Sequence, residues 1–265
     1  MERTGTILDK IIRAKQLEVE TLRRDAAGWK ARACDAPPTL DFPAALENAP
    51  HVPIIAEIKR ASPSTGLIQP RVDAAEQARL YQAGGAAALS VLTDGPFFGG
   101  ALEDLARAKR AAGKPVLRKD FIVDSVQLHQ SRAAGADAVL LVAAALGPAR
   151  LAELFAEALE LSLTPLVEVH DELELAWARP LRPRLLGLNN RDLATLAVSL
   201  ETSLRLRPLV GDGALVVAES GITGPEDVRR LRAGGLDAFL VGTALMRADD
   251  PTVFLRSLCH SDGGG

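Results

Sequence analysis

Short, continuously apolar runs recur along this chain, and each is reached through a helix-forming stretch that ends at glycine. Residues 82–92 read QAGGAAALSVL, residues 133–142 read AAGADAVLLV, and residues 232–242 read RAGGLDAFLVG. Gly84, Gly135 and Gly234 fall where a helix would end in the left-handed conformation that glycine adopts most readily. The run after each glycine lacks polar alternation, so it reads as a strand buried on both faces. A recurring helix–glycine–strand unit predicts a repeated α/β architecture with a parallel sheet.

Eight such strands can be placed, over residues 53–59, 87–92, 115–119, 137–142, 164–169, 184–188, 214–218 and 237–242. Helical stretches at 73–83, 102–112, 125–134, 148–161, 173–178, 200–206 and 225–233 lie between them. Eight βα units within about 200 residues predict a closed (β/α)8 TIM barrel rather than an open doubly wound sheet. No GxGxxG follows the first strand, which disfavours a dinucleotide fold. No linker divides the chain, so residues 1–265 read as one domain with an N-terminal helical extension over 1–50. The last residues, 261–265, are expected to form a flexible tail. Within the extension, Thr6 can cap a helix carrying Ile7, Leu8, Ile11, Ile12, Leu17, Val19 and Leu22. Its apolar stripe must dock either under the barrel or as a cover near the mouth.

Composition narrows the class. The chain is 48% hydrophobic and 25% charged, which excludes a disordered or low-complexity protein. With 31 Lys and Arg against 34 Asp and Glu, the net charge is −3, so the basic excess of a nucleic-acid binder is missing. Cys34 and Cys259 lie near opposite ends without metal-ligand spacing, as expected in a reducing compartment. The N-terminus lacks the apolar core of a signal peptide. The longest apolar run, residues 138–146, is well short of the ~20 that a membrane helix needs. A cytoplasmic protein without membrane or nucleic-acid partners is expected.

The polar residues fall where barrels of this kind carry chemistry, at the C-terminal ends of the strands. Strand 1 ends Ala56-Glu57-Ile58-Lys59, and alternation puts Glu57 and Lys59 on one face. Strand 3 runs into Arg118-Lys119-Asp120-Phe121, strand 5 into Glu168, and strand 6 into Asn189-Asn190-Arg191-Asp192. Strand 7 ends Glu219-Ser220-Gly221 and strand 8 ends Gly242-Thr243. One such charge could belong to a structural ion pair. Several carboxylates and two lysines on one rim cost several kcal/mol of desolvation per ion, so function explains them better. A phosphate grip is read at Ser220-Gly221 and Gly242-Thr243, with a short helix over 243–246 whose N-terminus faces the mouth. Lys59 and the Ser62-Pro63-Ser64 loop would reach it from strand 1. Phe97-Phe98-Gly99-Gly100 after strand 2 reads as a stacking surface for an aromatic ligand or as loop packing. His129 reads as solvated, and His170 as structural or as support for Glu168. No histidine pair has metal-ligand spacing, so no metal is expected.

In combination, AEIKRASPS (56–64), LRKDFI (117–122), LVEVHDE (166–172), GLNNRDL (187–193), AESGI (218–222) and VGTALM (241–246) resemble the indole-3-glycerol phosphate synthase family. The resemblance runs from Ile7 to Arg247. It implies a (β/α)8 barrel whose N-terminal extension helps cover the active site, working without cofactor or metal. The implied reaction converts 1-(2-carboxyphenylamino)-1-deoxyribulose 5-phosphate into indole-3-glycerol phosphate, CO2 and water, in tryptophan biosynthesis. Carried over by position, it assigns catalysis to Glu57, Lys59, Lys119, Glu168, Asn189, Glu219 and Ser220. It assigns the phosphate to Lys59, Ser62, Gly221, Gly242 and Thr243, and the sugar chain and aromatic ring to Arg191 and Phe98. Lys119 would protonate the substrate carbonyl, while Glu168 and Lys59 divide the later proton transfers in an order the residues leave open. Gly100-Ala101 departs from the serine common among relatives, and Thr243 from the glutamate of many bacterial ones. The rivals are a phosphoribosylanthranilate isomerase-like barrel, which needs a cysteine at a strand end, and a non-catalytic phosphosugar-binding protein. A monomer is expected, with a phosphorylated small molecule as its partner.

Overall fold

The computed structural model describes residues 5–261. Eight parallel strands close into a barrel: β1 (Ile54–Ile58), β2 (Ala88–Leu92), β3 (Val116–Lys119), β4 (Ala138–Val142), β5 (Thr164–Val169), β6 (Leu185–Asn189), β7 (Leu215–Glu219) and β8 (Ala238–Val241). Closure runs between β1 and β8, with Ile54 opposite Phe239 and Ala56 opposite Val241. The strands are buried nearly throughout, as their apolar runs predict.

Alternation sorts each strand into two faces. Outward residues such as Ile54, Ala56, Val91, Val139, Val167 and Phe239 join the core shared with the surrounding helices. Inward residues build a floor from Ile55, Leu117, Leu140, Leu166, Leu185, Val217 and Leu240. Two residues further along the same inward faces come Glu57, Lys119, Glu168, Gly187 and Glu219. The barrel is therefore apolar below and charged at its C-terminal end.

The extension uses both ends of the barrel. Helix α1 (Ile7–Arg23) starts in a capping box between Thr6 and Asp9, as Thr6 suggests. Its Ile7 and Ile11 line the cavity at the mouth. Helix α2 (Ala26–Cys34) packs along the helix Ser125–Ala133 that follows β3. Helix α3 (Phe42–Glu47) turns under the floor, where Phe42 and Leu46 pack with Ile55, Leu117 and Leu185. The Thr6-capped helix thus docks at the mouth, and the bottom is closed by a different helix, α3.

Several local expectations are corrected. The left-handed residues ending two of the recurring helices are Gly85 (φ 97°) and Gly235 (φ 88°), one beyond Gly84 and Gly234; Gly135 (φ 88°) is as expected. Gly84 ends its helix against Leu255, where a Cβ would stand 2.9 Å from that side chain. The helix expected over 148–161 begins at Ala143 and is interrupted at Gly147, and the one over 200–206 spans Glu201–Val210. A small antiparallel ribbon, Ala61–Ser62 with Gly66–Leu67, follows β1 without a periodicity signal. His129 is half-buried rather than solvated, with Nδ1 enclosed and without a hydrogen-bond partner. Cys34 is exposed, Cys259 is buried, and both are free thiols. Ser261 is buried and its N–H donates to Leu258 O, while the rest of the expected tail, 262–265, lies outside the described residues. Among the described residues, no helix is long and apolar enough to cross a membrane.

Candidate active site

The charged layer consists of two groups of ion pairs, one around Lys119 and one between Lys59 and Glu57. Lys119 Nζ, at the end of β3, lies 2.8 Å from Glu168 Oε2 on β5 and 2.9 Å from Glu219 Oε2 on β7. Lys59 Nζ lies 2.6 Å from Glu57 Oε1. Behind Glu168, His170 Nε2 stands 3.4 Å from Oε1, and His170 Nδ1 stands 2.9 Å from Glu174 Oε2. The three carboxylates Glu57, Glu168 and Glu219 are only 4%, 3% and 1% exposed, yet all border the cavity. Ionic groups so deeply placed are costly unless they interact closely, and here they do.

Those contacts set the protonation states. Burial works against the Lys119 ammonium, but Glu168, Glu219 and Glu57 overcome it and hold its pKa well above the ordinary lysine value. Burial likewise opposes ionisation of Glu168, and Lys119 and His170 overcome it, so this carboxylate is held well below the usual range. Glu219 goes the other way. Burial and the neighbouring Glu168 charge outweigh Lys119 and push Glu219 up to about 8. Its carboxyl lies within ion-pair distance of Lys119 but makes no aligned hydrogen bond. Two carboxylates thus share one lysine, with their pKa values pushed in opposite directions, down for Glu168 and up for Glu219. His170 is pushed up to about 10, with burial opposed by Glu168 and Glu174.

Around this layer the other strand ends supply hydrogen-bonding groups. Asn189 Oδ1 accepts the N–H of Arg191 at 3.0 Å, which leaves its amide NH2 as a donor group at the cavity. Asn190 is buried behind it, donating to Ser220 O and accepting from Ser203. Arg191 donates to Leu196 O, and burial lowers its pKa. After β7, Ser220 (φ 65°) and Gly221 (φ 82°) turn the chain sharply. A non-glycine residue in that region stores strain and persists where the surroundings over-determine it. After β8, Gly242 and Thr243 open the short helix Thr243–Arg247 onto the same cavity. Ser62, Pro63 and Ser64 complete this side, with Ser62 Oγ 3.3 Å from Ser64 Oγ.

The opposite wall, from the β2 and β3 side, is apolar. It is formed by Phe98, Phe121 and Leu92, and the extension adds Ile7 and Ile11 to the apolar lining. The Phe98 and Phe121 rings are 6.3 Å apart and tilted by 36°. Phe98 ends the turn Gly95–Phe98, which Asp94 caps by accepting the Phe97 N–H at 2.8 Å. Phe97 does not border the cavity.

Every site residue named from the sequence, Glu57, Lys59, Ser62, Phe98, Lys119, Glu168, Asn189, Arg191, Glu219, Ser220, Gly221, Gly242 and Thr243, borders this one cavity. Sequence reasoning missed the packing role of Gly242, where a Cβ would stand 2.2 Å from Glu57 Oε1 and 3.0 Å from Lys59 Nζ. It also missed Ile7, Ile11 and Phe121, whose apolar character gives no signal apart from the fold. Lys15 was overlooked as well, although a lysine at core spacing between Ile11 and Val19 is a legible anomaly. Among the described residues, no group of three or more His, Cys, Asp or Glu side chains is arranged to hold a metal ion.

The sequence profile of indole-3-glycerol phosphate synthase matches residues 8–258. The indole-3-glycerol phosphate synthase of Polaromonas naphthalenivorans is 47% identical over 257 residues, covering 95% of this chain and 98% of its own. That of Neisseria gonorrhoeae is 49% identical over 251 residues, covering 92% and 95%. That of Bordetella pertussis is 48% identical over 257 residues, covering 95% and 98%. Among solved structures, a thiamine phosphate pyrophosphorylase from Pyrococcus furiosus superposes with a TM-score of 0.59 at 19% identity, covering 79% of this chain and 95% of its own. That likeness concerns the barrel alone. The profile match and the near full-length identity, together with a charged layer ringed by a polar and an apolar wall, establish that this chain belongs to the indole-3-glycerol phosphate synthase family.

Proposed function

We propose that the protein is a carbon–carbon carboxy-lyase that closes the indole ring of 1-(2-carboxyphenylamino)-1-deoxyribulose 5-phosphate, giving indole-3-glycerol phosphate, CO2 and water. The observation that carries the reading is Lys119 held between Glu168 and Glu219, with hydroxyl-bearing, glycine-rich loops on one side and an aromatic wall on the other.

The substrate phosphate would sit at Lys59, Ser62, Gly221, Gly242 and Thr243, and its ring against Phe98. The carboxylated aromatic carbon attacks the ketone carbon. As that bond forms, Lys119 gives its proton to the ketone oxygen, which becomes a hydroxyl. The C–COO⁻ bond then breaks, CO2 leaves, and its electron pair restores the aromatic ring. In the last stage Lys59 protonates the departing hydroxyl, and Glu168, kept ionised by Lys119 and His170, takes the proton released as the indole forms. Two protons are given and one is taken, so a net proton is drawn from solvent, as loss of CO2 from a carboxylate requires. Glu57 orients Lys59. Neutral Glu219 and the Asn189 amide are donors to substrate hydroxyls, Ser220 supports the phosphate turn, and Arg191 offsets the substrate's negative charge. Each positioned proton transfer is worth ~10²–10⁴-fold.

The partner in this reading is a phosphorylated small molecule, and the protein acts as a cytoplasmic monomer. Its large exposed apolar side chains, such as Leu17, Leu173 and Val253, are spread over different helices. Gel filtration at the 28.0 kDa monomer mass tests that state. The function is tested by indole fluorescence on mixing protein and substrate, beside Lys119→Ala. The expected result is turnover by the wild type and a loss of at least ~10²-fold in the variant. A folded wild type that binds substrate without consuming it overturns the reading.

A further inference from the structure

Lys15 interrupts the apolar stripe of α1. It stands one turn from both Ile11 and Val19 on the buried face and is 1% exposed. Its Nζ lies 2.8 Å from Asp120 Oδ1, 3.0 Å from Asp94 Oδ2 and 2.8 Å from Glu18 Oε2. Both aspartate side chains are fully enclosed. Asp94 Oδ2 has no hydrogen-bond partner among the described residues and meets the Lys15 ammonium instead. A helix that only covered apolar surface would be better served here by leucine or methionine, since burying an ion trio carries a heavy desolvation cost before its attraction is counted.

The ammonium joins three segments that each build the apolar wall. Helix α1 brings Ile7 and Ile11. Asp94 caps the turn that presents Phe98, through its other oxygen. Asp120 follows Lys119, accepts the Phe121 N–H at 2.8 Å, and is itself held by Arg118 at 3.0 Å and by Thr93 Oγ1 at 2.5 Å. The polar loops after β7 and β8 take no part in this network.

We propose that Lys15 is a positioning residue for the aryl half of the cavity. Its ammonium locks Ile7 and Ile11 of α1 to the segments carrying Phe98 and Phe121, and so sets the width of the slot that receives the substrate's ring. The proposal rests on the function proposed above. It assigns to the extension a specific task, shaping the aryl slot, which one buried charge makes possible.

The test compares wild type with Lys15→Met and Asp94→Asn. The second variant keeps an oxygen to accept the Phe97 N–H and removes only the charge facing Lys15, so it reads out even if Lys15→Met fails to fold. For each folded variant, the expected result is a KM for substrate raised at least ~10-fold with kcat within ~3-fold, which marks lost ground-state positioning. Inhibition by inorganic phosphate should stay within ~2-fold, because the phosphate loops lie outside the network. Amide hydrogen exchange should quicken both in 7–23 and in 95–98. Exchange that quickens in 7–23 alone with KM unchanged overturns the proposal. So does a parallel rise of KM and the phosphate inhibition constant, which a general loosening would produce. A wild type that fails to turn over the substrate overturns the proposed function instead, while the exchange comparison still decides whether Lys15 couples the two segments.

Discussion

Gly187 on β6 and Glu219 on β7 share one volume: a Cβ at position 187 would stand 2.1 Å from Glu219 Oε1. Glycine weakens a strand interior, and it persists where another group must approach closely. Here that group is the Glu219 carboxyl, which needs the space to lie beside Lys119. Gly187→Ala is therefore expected to keep the barrel but displace the carboxyl, and misplacement by about 1 Å costs ~10²-fold in rate. Steady-state kinetics beside circular dichroism check this. An alanine variant with wild-type kcat would show that the position of Glu219 is unimportant.

Glu168 and Glu219 flank the same lysine with pKa values pushed in opposite directions, and the raised value of Glu219 favours its neutral form. A glutamine mimics a neutral carboxyl in shape and hydrogen bonding. Glu219→Gln should accordingly retain kcat within ~10-fold at neutral pH, while Glu168→Gln, which removes an ionised base, should lose ~10²–10⁴-fold. Single-turnover assays of the two variants at one pH decide it, and equal losses would contradict the assignment.

His170 gives the stability a pH dependence of definite sign. Its pKa rises from 6.5 to about 10 on folding, so the folded protein keeps a proton that the unfolded chain releases. The stabilisation is complete below pH ~6.5 and is lost as pH rises through about 10. Glu219, raised to about 8, makes stability fall with pH in a lower window, between 4.5 and 8. Urea midpoints between pH ~8.5 and ~9.5 read His170 through comparison with a variant, because the buried Cys259 thiol, pushed up to about 11, adds a fall of the same sign there. They should fall with pH in the wild type and fall less steeply in Glu174→Gln, which removes one of the two carboxylates that hold the imidazolium.

The extension also matters at the barrel's other end. Phe42 is fully buried against the floor residues. Phe42→Ala is expected to cost ~3–5 kcal/mol through lost burial and an unfilled cavity. Thermal unfolding measures the loss. Because Phe42 lies on the far side of the floor from Lys119, kcat below the melting transition should be unchanged.

Much of the barrel could be read from local signals. Apolar runs such as residues 138–142 and 164–169 give no alternation because both strand faces are covered, and that marks parallel strands directly. Alternation alone also places Glu57 with Lys59, since residues two apart on a strand share a face. The small ribbon at Ala61–Ser62 and Gly66–Leu67 escaped, because two-residue strands are too short to carry a period. His129 escaped because its half-burial depends on α2, a segment about 100 residues away in sequence.

The repeating βα units, the charged strand ends and the capped N-terminal helix are legible in the chain, because each depends on neighbours within a few residues. How those charges are shared is a property of the closed barrel. Lys119, Glu168 and Glu219 come from strands 49 to 100 residues apart, and which carboxyl stays neutral follows from distances across the barrel. Only the closed barrel shows that Gly187 and Gly242 are spaces for carboxylates, since the competing atoms come from other strands. The same holds for Lys15. Its place on the apolar face of α1 is visible in the chain, but the two enclosed aspartates that make the charge tolerable are brought to it by the fold.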